Sequence, residues 1–298
     1  MNRDYFSSLH PIVNMLYFIC VIGFALAFDH PICLGISFIG AYSYLLCLKG
    51  VESIKQNMKY MLPLIILTAV INPAFSHQGI TILTYLPTGN PLTLESIYYG
   101  ISAAFLLATV ITWFSCFNQI FTSDKLIYIL GRFAPTLSLM LSMTLKFIPD
   151  CRAQYQAVYK ARKGARLGGD ESPGIISRMM NGIHIMSAVV TWALERAVTT
   201  SDSMRARCYG GKGRKAYAIY EIKKRDIRCL ILLSAAGAYV LAGGIRHIFY
   251  FQYYPFLQGV KWGLYEYGVV FVYVLLVFGP VILHGMEEMK WKYIQSKI

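Results

Sequence analysis

Two short runs near the middle of the chain place arginines beside small residues, a combination suited to docking. The runs are Ala161-Arg162-Lys163-Gly164-Ala165-Arg166 and Met204-Arg205-Ala206-Arg207-Cys208-Tyr209-Gly210. A small side chain lets a helix end approach another surface closely, and a guanidinium makes forked, charge-assisted contacts with carboxylates. Exposed basic residues beside a bilayer also attract anionic lipid, at about 1 kcal/mol each. The runs therefore indicate either docking onto an acidic protein surface or contact with lipid head groups.

Motifs for catalysis, metal binding and nucleotide hydrolysis are missing from the sequence. Neither a GxxxxGK[ST] phosphate loop nor an HExxH zinc motif occurs. The seven cysteines include no CxxC pair, and the six histidines are scattered. Asp124, Asp150 and Glu195 show no pairing for acid–base work, and Glu195 is expected to pair with Arg196 or a nearby cation. The sequence predicts no enzyme activity, no cofactor, no metal site and no nucleic-acid binding.

Each arginine run lies near the end of a predicted helix. Residues 151–168 are rich in Ala, Gln, Lys and Arg, which favour helix, and the stretch 168–174 breaks it with Gly and Pro. From Ile175 to about Ala206, apolar residues recur every three or four positions, which predicts one long amphipathic helix. Its apolar face contains Ile176, Met180, Ile183, Met186, Val190, Leu194 and Ala197.

That apolar face has two interpretations. It could hold a partner that docks and leaves, because methionines such as Met179, Met180 and Met186 repack readily. It could equally pack against the neighbouring helix or against lipid.

Composition places this basic region in a membrane protein. Of 298 residues, 56% are hydrophobic and 14% are charged, against roughly 25% charged in a typical globular chain. The apolar residues fall in long runs, which excludes a soluble enzyme, a disordered chain and a secreted disulfide scaffold. Net charge is +13, and residues 146–228 alone carry +10, from 17 Lys and Arg against 7 Asp and Glu. The chain is thus a membrane body with one large basic insert.

Six segments are long and apolar enough to cross a bilayer, which needs about 20 such residues. They are 12–28, 31–48, 60–76, 97–117, 227–245 and 263–285. Loop 77–96 has no Lys or Arg, so the positive-inside rule places it outside and both termini in the cytoplasm.

A seventh apolar segment, 133–149, is weaker and is interrupted by Pro135 and Pro149. Basic stretches lie on both sides of it, so a single crossing is excluded. We expect it to dip into the membrane, lie in the interface or pair with a second half.

These patterns predict an all-α polytopic membrane protein with about six transmembrane helices and two long cytoplasmic helices. The predicted regions are 1–149, with about four spans and the non-spanning or re-entrant segment, 150–226, with the cytoplasmic helices, and 227–298, with about two spans.

Three ordered blocks between residues 60 and 226 resemble the signature of the T component of energy-coupling factor (ECF) transporters. The blocks are Asn72-Pro73-Ala74-Phe75-Ser76-His77 and Gly79 with Gly89-Asn90-Pro91-Leu92-Thr93-Leu94-Glu95-Ser96 and Tyr99-Gly100; Thr122-Ser123-Asp124-Lys125 and Pro135 with Leu145-Lys146-Phe147-Ile148-Pro149; and Leu194-Glu195-Arg196-Ala197 with Ser203-Met204-Arg205-Ala206-Arg207-Cys208-Tyr209-Gly210 and Gly213-Arg214.

The resemblance implies a non-catalytic scaffold in the bacterial cytoplasmic membrane. T components of vitamin and metal-ion importers join two cytoplasmic ATP-binding subunits to a small substrate-binding membrane protein, the S component. Two coupling helices carry Ala-Arg-Gly motifs, and each arginine enters an acidic groove on one ATPase. ATP binding closes the ATPase pair, moves the coupling helices, and topples or releases the S component.

Carried over by position, the second motif is Ala206-Arg207-Cys208, with cysteine where the family usually has glycine. Glycine adopts positive φ freely, whereas the side chain of cysteine disfavours it. Whether the chain turns as tightly at Cys208 as it does at the family's glycine is therefore open. The first motif is Ala161-Arg162-Lys163, preceded by Tyr159-Lys160 as in a family helix, with Ala165-Arg166-Leu167 as the rival register. The resemblance ranks Arg207 above Arg162, and Arg162 above Arg166, as ATPase-docking residues.

An alternative function is an autonomous secondary transporter or intramembrane enzyme whose basic insert binds lipid. The predicted span interiors contain almost no ionisable residue for a transport pathway, Glu266 being the nearest. Isolation of the chain alone, with activity intact, would favour this alternative.

Overall fold

The computed structural model describes residues 6–76, 79–85, 91–165, 174–209, 220–246, 248–255, 257–259 and 263–295, without the side chains of 53, 177 and 288. Nine helices, two short hairpins and one N-terminal 3-10 turn, Phe6–Ser8, form this described part. The helices are α1 Pro11–Ala27, α2 Pro31–Lys49, α3 Val51–Phe75, α4 Leu94–Ile120, α5 Ser123–Phe133, α6 Pro135–Gly164, α7 Ile175–Ala206, α8 Lys224–Ile245 and α9 Leu264–Gln295. The strands are β1 Ile82–Tyr85 with β2 Pro91–Thr93, and β3 Phe251–Gln252 with β4 Gln258–Gly259, each pair antiparallel.

The chain divides into two compact units. The first contains Met1–Leu126 and Tyr220–Ile298, and the second contains Ile127–Ile219. The first unit holds the apolar helices α1 to α4, α8 and α9. The second holds α6 and α7, which carry the arginine motifs.

A His-Pro pair starts each of the first two apolar helices. The Nδ1 atoms of His10 and His30 accept hydrogen bonds from the backbone N–H groups of Ile12 and Ile32, each at 3.3 Å. Proline follows at the first helical position, where its missing N–H is harmless and its fixed φ favours a helix. Burial lowers the pKa of His30, which favours the neutral imidazole that this cap needs.

The core of the first unit is aromatic. Trp113 is fully buried in α4 and donates through Nε1 to the Ser37 hydroxyl of α2 at 3.0 Å. The Tyr17 hydroxyl of α1 donates to the Val277 carbonyl of α9 at 3.0 Å. Buried aromatic side chains with polar ends need such partners, and these bonds fix which helix faces meet.

Small residues allow the closest helix contacts, as is usual between membrane helices. At Gly100 in α4, an added Cβ would lie 3.0 Å from the Ala69 carbonyl oxygen and 3.1 Å from Pro73 Cδ, both of α3. Gly40 of α2 lies directly against Val277 of α9. A larger side chain at either position would push these helices apart.

Five helices in the described part of the chain are long and apolar enough to cross a membrane. They are Pro31–Lys49, Ile54–Phe75, Leu94–Ile120, Lys224–Ile245 and Leu264–Gln295. The all-α polytopic architecture predicted from the sequence is therefore confirmed. The first apolar helix, Pro11–Ala27, is shorter, at 17 residues.

Two hydrogen bonds support a crossing by α1 as well. Lys125, just after α4, donates to the Ser7 carbonyl at 2.7 Å, and Arg225, in the first turn of α8, donates to the Ser8 carbonyl at 3.5 Å. Residues that bond each other lie on the same side of the membrane, so the chain between Ser8 and Lys125 crosses an even number of times. The helices α2, α3 and α4 alone would give three crossings, and α1 supplies the fourth. At 17 residues, α1 is about 26 Å long, at the short end of the range for spanning helices.

The segment 133–149 proves to be the first half of a longer helix. The helix predicted over 151–168 instead begins at Pro135 and continues through Pro149 to Gly164. An internal proline costs about 3 kcal/mol, but contacts from α6 to α7 lie directly beside Pro149, through Phe147 and Asp150. These contacts hold the helix against α7 on both sides of Pro149. The region boundaries predicted at 149 and 226 stay a prediction.

Candidate functional site

The first arginine motif occupies the last turn of α6. Ala161 and Lys163 are exposed, whereas Arg162 is half-buried and donates from Nε to the Asn181 amide oxygen of α7 at 2.9 Å. Arg166, in the rival register, lies outside the described residues. One edge of the Arg162 guanidinium is thus used within the chain, so a partner would have to approach its terminal nitrogens.

The second motif ends α7 and projects its arginine outward. Ala206 is the last helical residue, Arg207 is the C-cap, and Cys208 follows. All three are exposed, and within the described part of the chain the Arg207 guanidinium has no hydrogen-bond or ion-pair partner. Arg207 therefore presents a complete guanidinium to whatever lies beside this helix end.

Cys208 forms the tight turn that a glycine usually forms. Its φ is +53°, in the left-handed region, and its N–H donates to the Arg205 carbonyl at 3.0 Å. The N–H of Tyr209 donates to the Met204 carbonyl, also at 3.0 Å. Together these bonds are a Schellman cap, in which the residue after the C-cap is normally glycine. The turn is thus as tight as a Schellman cap formed by glycine, at a cost of roughly 1–2 kcal/mol for a non-glycine residue.

The two motifs lie far apart on an antiparallel helix pair. Arg162 meets Asn181, and earlier in α6 Asp150 meets Arg196, so the sequence numbers run in opposite directions along the two helices. Arg207 is 26 residues beyond Asn181 on α7, which corresponds to about 39 Å of helix. The two arginines therefore address separate points.

A stack of side chains joins the two helices between the motifs. Phe147 of α6 stacks on Trp192 of α7, with ring centroids 5.8 Å apart and planes 10° from parallel. The guanidinium of Arg196 lies 5.5 Å from the Trp192 ring centroid and bonds Asp150 at 3.0 Å. Arg196 pairs with Asp150 and not with Glu195, because adjacent helix residues point in different directions. Pairing of Glu195 with another nearby cation stays a prediction.

The predicted apolar face of α7 is exposed. The buried residues of α7 are instead Ile185 and Val189, which are four residues apart and so share one face of the helix. Since α7 packs against α6, this second face is the one that meets it. Packing of the apolar face on the neighbouring helix is therefore the wrong interpretation. The exposed fractions are 80% for Ile176, 53% for Met180, 54% for Ile183, 55% for Met186, 51% for Val190 and 63% for Leu194.

The first sequence block forms a polar cluster where α3 ends and α4 begins, in the first unit. The Ser96 hydroxyl donates to the Ser76 carbonyl at 2.7 Å, and Thr93 Oγ1 accepts from the Ser96 N–H at 3.4 Å as an N-cap. The Glu95 carboxylate accepts from the backbone N–H of Thr81 at 3.3 Å and from its hydroxyl. These bonds tie the β1–β2 hairpin to α4.

A glycine is required where this cluster closes. Gly79 has φ of +144°, and an added Cβ would lie 2.6 Å from Glu95 Oε2 and 2.9 Å from Thr93 Oγ1. The first sequence block therefore contains a glycine because the backbone at residue 79 needs positive φ, and polar residues because their side chains form the hydrogen bonds of the cluster.

Comparison with known proteins identifies the family. The family described as CbiQ, cobalt transport protein, matches residues 7–217. The chain belongs to the CbiQ family. The chain is also 26% identical, over 203 residues, to the energy-coupling factor transporter transmembrane protein EcfT 1 of Listeria monocytogenes serotype 1/2a (strain 08-5578). That match covers 62% of this chain and 74% of the relative.

The CbiQ match confirms the predicted relationship to T components and a role as a multi-pass membrane component of a transport system. Its residues, 7–217, include α1 to α7 and both arginine motifs, and end before α8. The described residues contain no group of three or more His, Cys, Asp and Glu side chains that could hold a metal ion.

Sequence patterns of this CbiQ-family chain missed the residues that hold the motifs in place. Asn181 and Trp192 carry no motif, and Asp150 and Arg196 are 46 residues apart. The one available signal was the aromatic Phe147 inside the second block, together with Trp192 just before the third. Which partner each would meet depends on how the helices cross.

Replacement of Cys208 by glycine should stabilise the Schellman cap. We expect Cys208→Gly to remove roughly 1 kcal/mol of strain, to retain transport and to slow amide hydrogen exchange in the last turn of α7. Ala206→Gly, in the same turn but at negative φ, is the control and should speed exchange. Loss of assembly in Cys208→Gly would contradict this assignment and give the thiol another role.

Proposed function

We propose that this chain is the non-catalytic membrane scaffold of an ECF-type importer. It couples ATP hydrolysis by two cytoplasmic ATPase subunits to movement of an S component that binds a vitamin or a metal ion. The observation that carries the proposal is the pair of arginine-bearing helix ends, about 39 Å apart along α7. The chain itself supplies the docking residues, and the S component chooses the cargo.

The separation of the motifs supports two ATPase partners. A standard protein interface buries about 800 Å² on each partner, which is a patch about 32 Å across. The two arginines are about 39 Å apart along the helix, which is more than the diameter of one such patch. Arg162 and Arg207 therefore suit one contact on each of two subunits.

The charge of this region specifies the chemistry of those contacts. Residues 146–228 carry a net charge of +10, and an exposed arginine such as Arg207 matches a carboxylate groove. Loss of one partner of a buried charge pair costs about 2–5 kcal/mol. Because Arg207 is exposed and Arg162 already bonds Asn181, we rank Arg207 first, Arg162 second and Arg166 third.

The exposed face of α7 suits the S component. Its methionines and branched side chains, among them Met179, Ile183, Met186 and Val190, line a shallow groove along one helix. Flexible thioethers repack against different partners, which a shared and exchangeable subunit requires. We assign this face to an apolar helix of the S component.

The distribution of Lys and Arg supports a cytoplasmic location for both termini and for α6 and α7 in the bacterial plasma membrane. Thiol labelling of a cysteine-free variant carrying Tyr85→Cys or Lys163→Cys tests this orientation. An impermeant reagent should label residue 85 from outside intact cells and residue 163 only after permeabilisation. Labelling of both residues from the same side would contradict it.

Purification of the chain from its native host tests the proposed function. We expect two ATPase chains and one small membrane protein to co-purify in mild detergent. Isolation of this chain alone, with transport or turnover intact, would overturn the proposal in favour of the autonomous alternative.

A further inference from the structure

Lys125 is a buried cation that the docking account does not use. It lies in the first turn of α5 and is only 4% exposed. Its Nζ donates to the Ser7 carbonyl at 2.7 Å. With the Asn14 amide oriented by its neighbours, the amide oxygen accepts from Nζ at 2.9 Å and the amide nitrogen donates to the Phe6 carbonyl at 3.0 Å. A buried ammonium needs such partners, so its position is closely defined.

The same N-terminal turn also binds the start of α8. Arg225 donates to the Ser8 carbonyl at 3.5 Å and lies 3.5 Å from the neighbouring Asp226 carboxylate. Asp226 in turn accepts from the Lys223 N–H at 3.1 Å and caps α8. The orientation of this helix start is therefore linked to the turn through Arg225.

Lys125 and Arg225 mark the two places where the chain passes between its compact units. The first unit ends at Leu126 and resumes at Tyr220, so both crossings are within five residues of a side chain bound to the turn. Because Lys125 and Arg225 donate to the adjacent carbonyls of Ser7 and Ser8, the two crossings lie beside the same turn.

The turn is itself firmly attached to the membrane helices. Phe6 is 4% exposed and meets Tyr17 of α1 and Tyr44 of α2 edge to face, at ring-centroid distances of 5.0 and 6.2 Å. Leu9, just after the turn, is 1% exposed. A displacement of the turn would therefore displace side chains in the aromatic core.

We propose that Phe6–Ser8, Asn14, Lys125 and Arg225 form an N-terminal clasp that transmits force from the second unit to the membrane helices. Lys125 and Arg225 are positioning residues, since they hold both chain crossings to one turn. The proposal rests on the proposed function, because force enters the second unit only if ATPases dock there.

The test uses the whole transporter, with its ATPases and S component, in liposomes. Lys125→Met keeps the apolar stem and removes the donors. We expect ATPase co-purification and ATP hydrolysis to stay within about twofold of wild type, while cargo imported per ATP falls about tenfold, as for residues that couple distant sites. Lys55→Met, the same change at an exposed lysine of the first unit, should leave this ratio unchanged.

Two further variants separate transmission from folding. Asn14→Leu should lower the cargo imported per ATP as Lys125→Met does. The double variant Asn14→Leu/Lys125→Met should be no worse than either single variant, because both changes break the same hydrogen-bond network. Arg225→Met, at a side chain that is 33% exposed, should fold and lower the ratio several-fold.

The outcomes distinguish the two proposals. If the wild-type chain fails to co-purify with ATPases, the proposed function fails. If wild type couples normally and the folded variants Lys125→Met and Arg225→Met import as much per ATP as wild type, the clasp is overturned and the function stands. Should Lys125→Met not insert, the ratio measured for Arg225→Met decides.

Discussion

Replacement of Arg207 by glutamate is expected to abolish uptake. The substitution places a carboxylate where the proposed ATPase groove presents carboxylates, so attraction becomes repulsion at the end of α7. Loss of a buried charge pair alone costs about 2–5 kcal/mol, which weakens binding by at least about 30-fold. The measurement is the amount of each ATPase that co-purifies with the variant, together with uptake in cells.

The matched control is Arg152→Glu, the same charge change at an exposed arginine of α6 that lies outside both arginine motifs. Membrane insertion should be normal in both variants, and only Arg207→Glu should lose an ATPase. Retention of both ATPases in Arg207→Glu, and again in Arg162→Glu, would contradict the docking assignment.

Met186→Glu is expected to detach the S component while both ATPases stay bound. Met186 is 55% exposed, at the centre of the apolar groove of α7. A carboxylate buried there against an apolar partner would lack a counter-charge, which costs several kcal/mol. We expect at least about a tenfold loss of S component in the purified complex.

His184→Glu provides the control for this second variant. His184 is exposed on the same helix and is not among the residues of the predicted apolar face, so a carboxylate there stays in water. Equal retention of the S component by Met186→Glu and wild type would show that this face contacts lipid or another subunit.

Local signals in the sequence predicted the elements that carry the motifs. The amphipathic helix predicted over 175–206 is confirmed as Ile175–Ala206, because its spacing and the glycines beyond it are local properties. The apolar segments likewise predicted the membrane helices, since length and hydropathy are enough to require them. The hydrogen bonds at Ser7 and Ser8 add the evidence that Pro11–Ala27 crosses as well.

Properties that depend on tertiary contacts were beyond the sequence. Pro149 signalled a break, yet α6 continues because Phe147 and Asp150 contact α7 beside it. The apolar spacing of α7 could not tell which face meets α6, since Ile185 and Val189 follow the same spacing as the exposed stripe. The burial of Lys125 depends on a turn 118 residues away.

The distance between the two motifs during ATP binding tests the central claim most directly. Spin labels at Lys160→Cys and Cys208, in a variant without the other cysteines, report this distance, which is about 39 Å along α7. With ATPases bound, the distance distribution should shift on addition of ATP, and no shift should occur when the ATPases are left out. An unchanged distribution in a complex that is hydrolysing ATP and importing cargo would contradict the account.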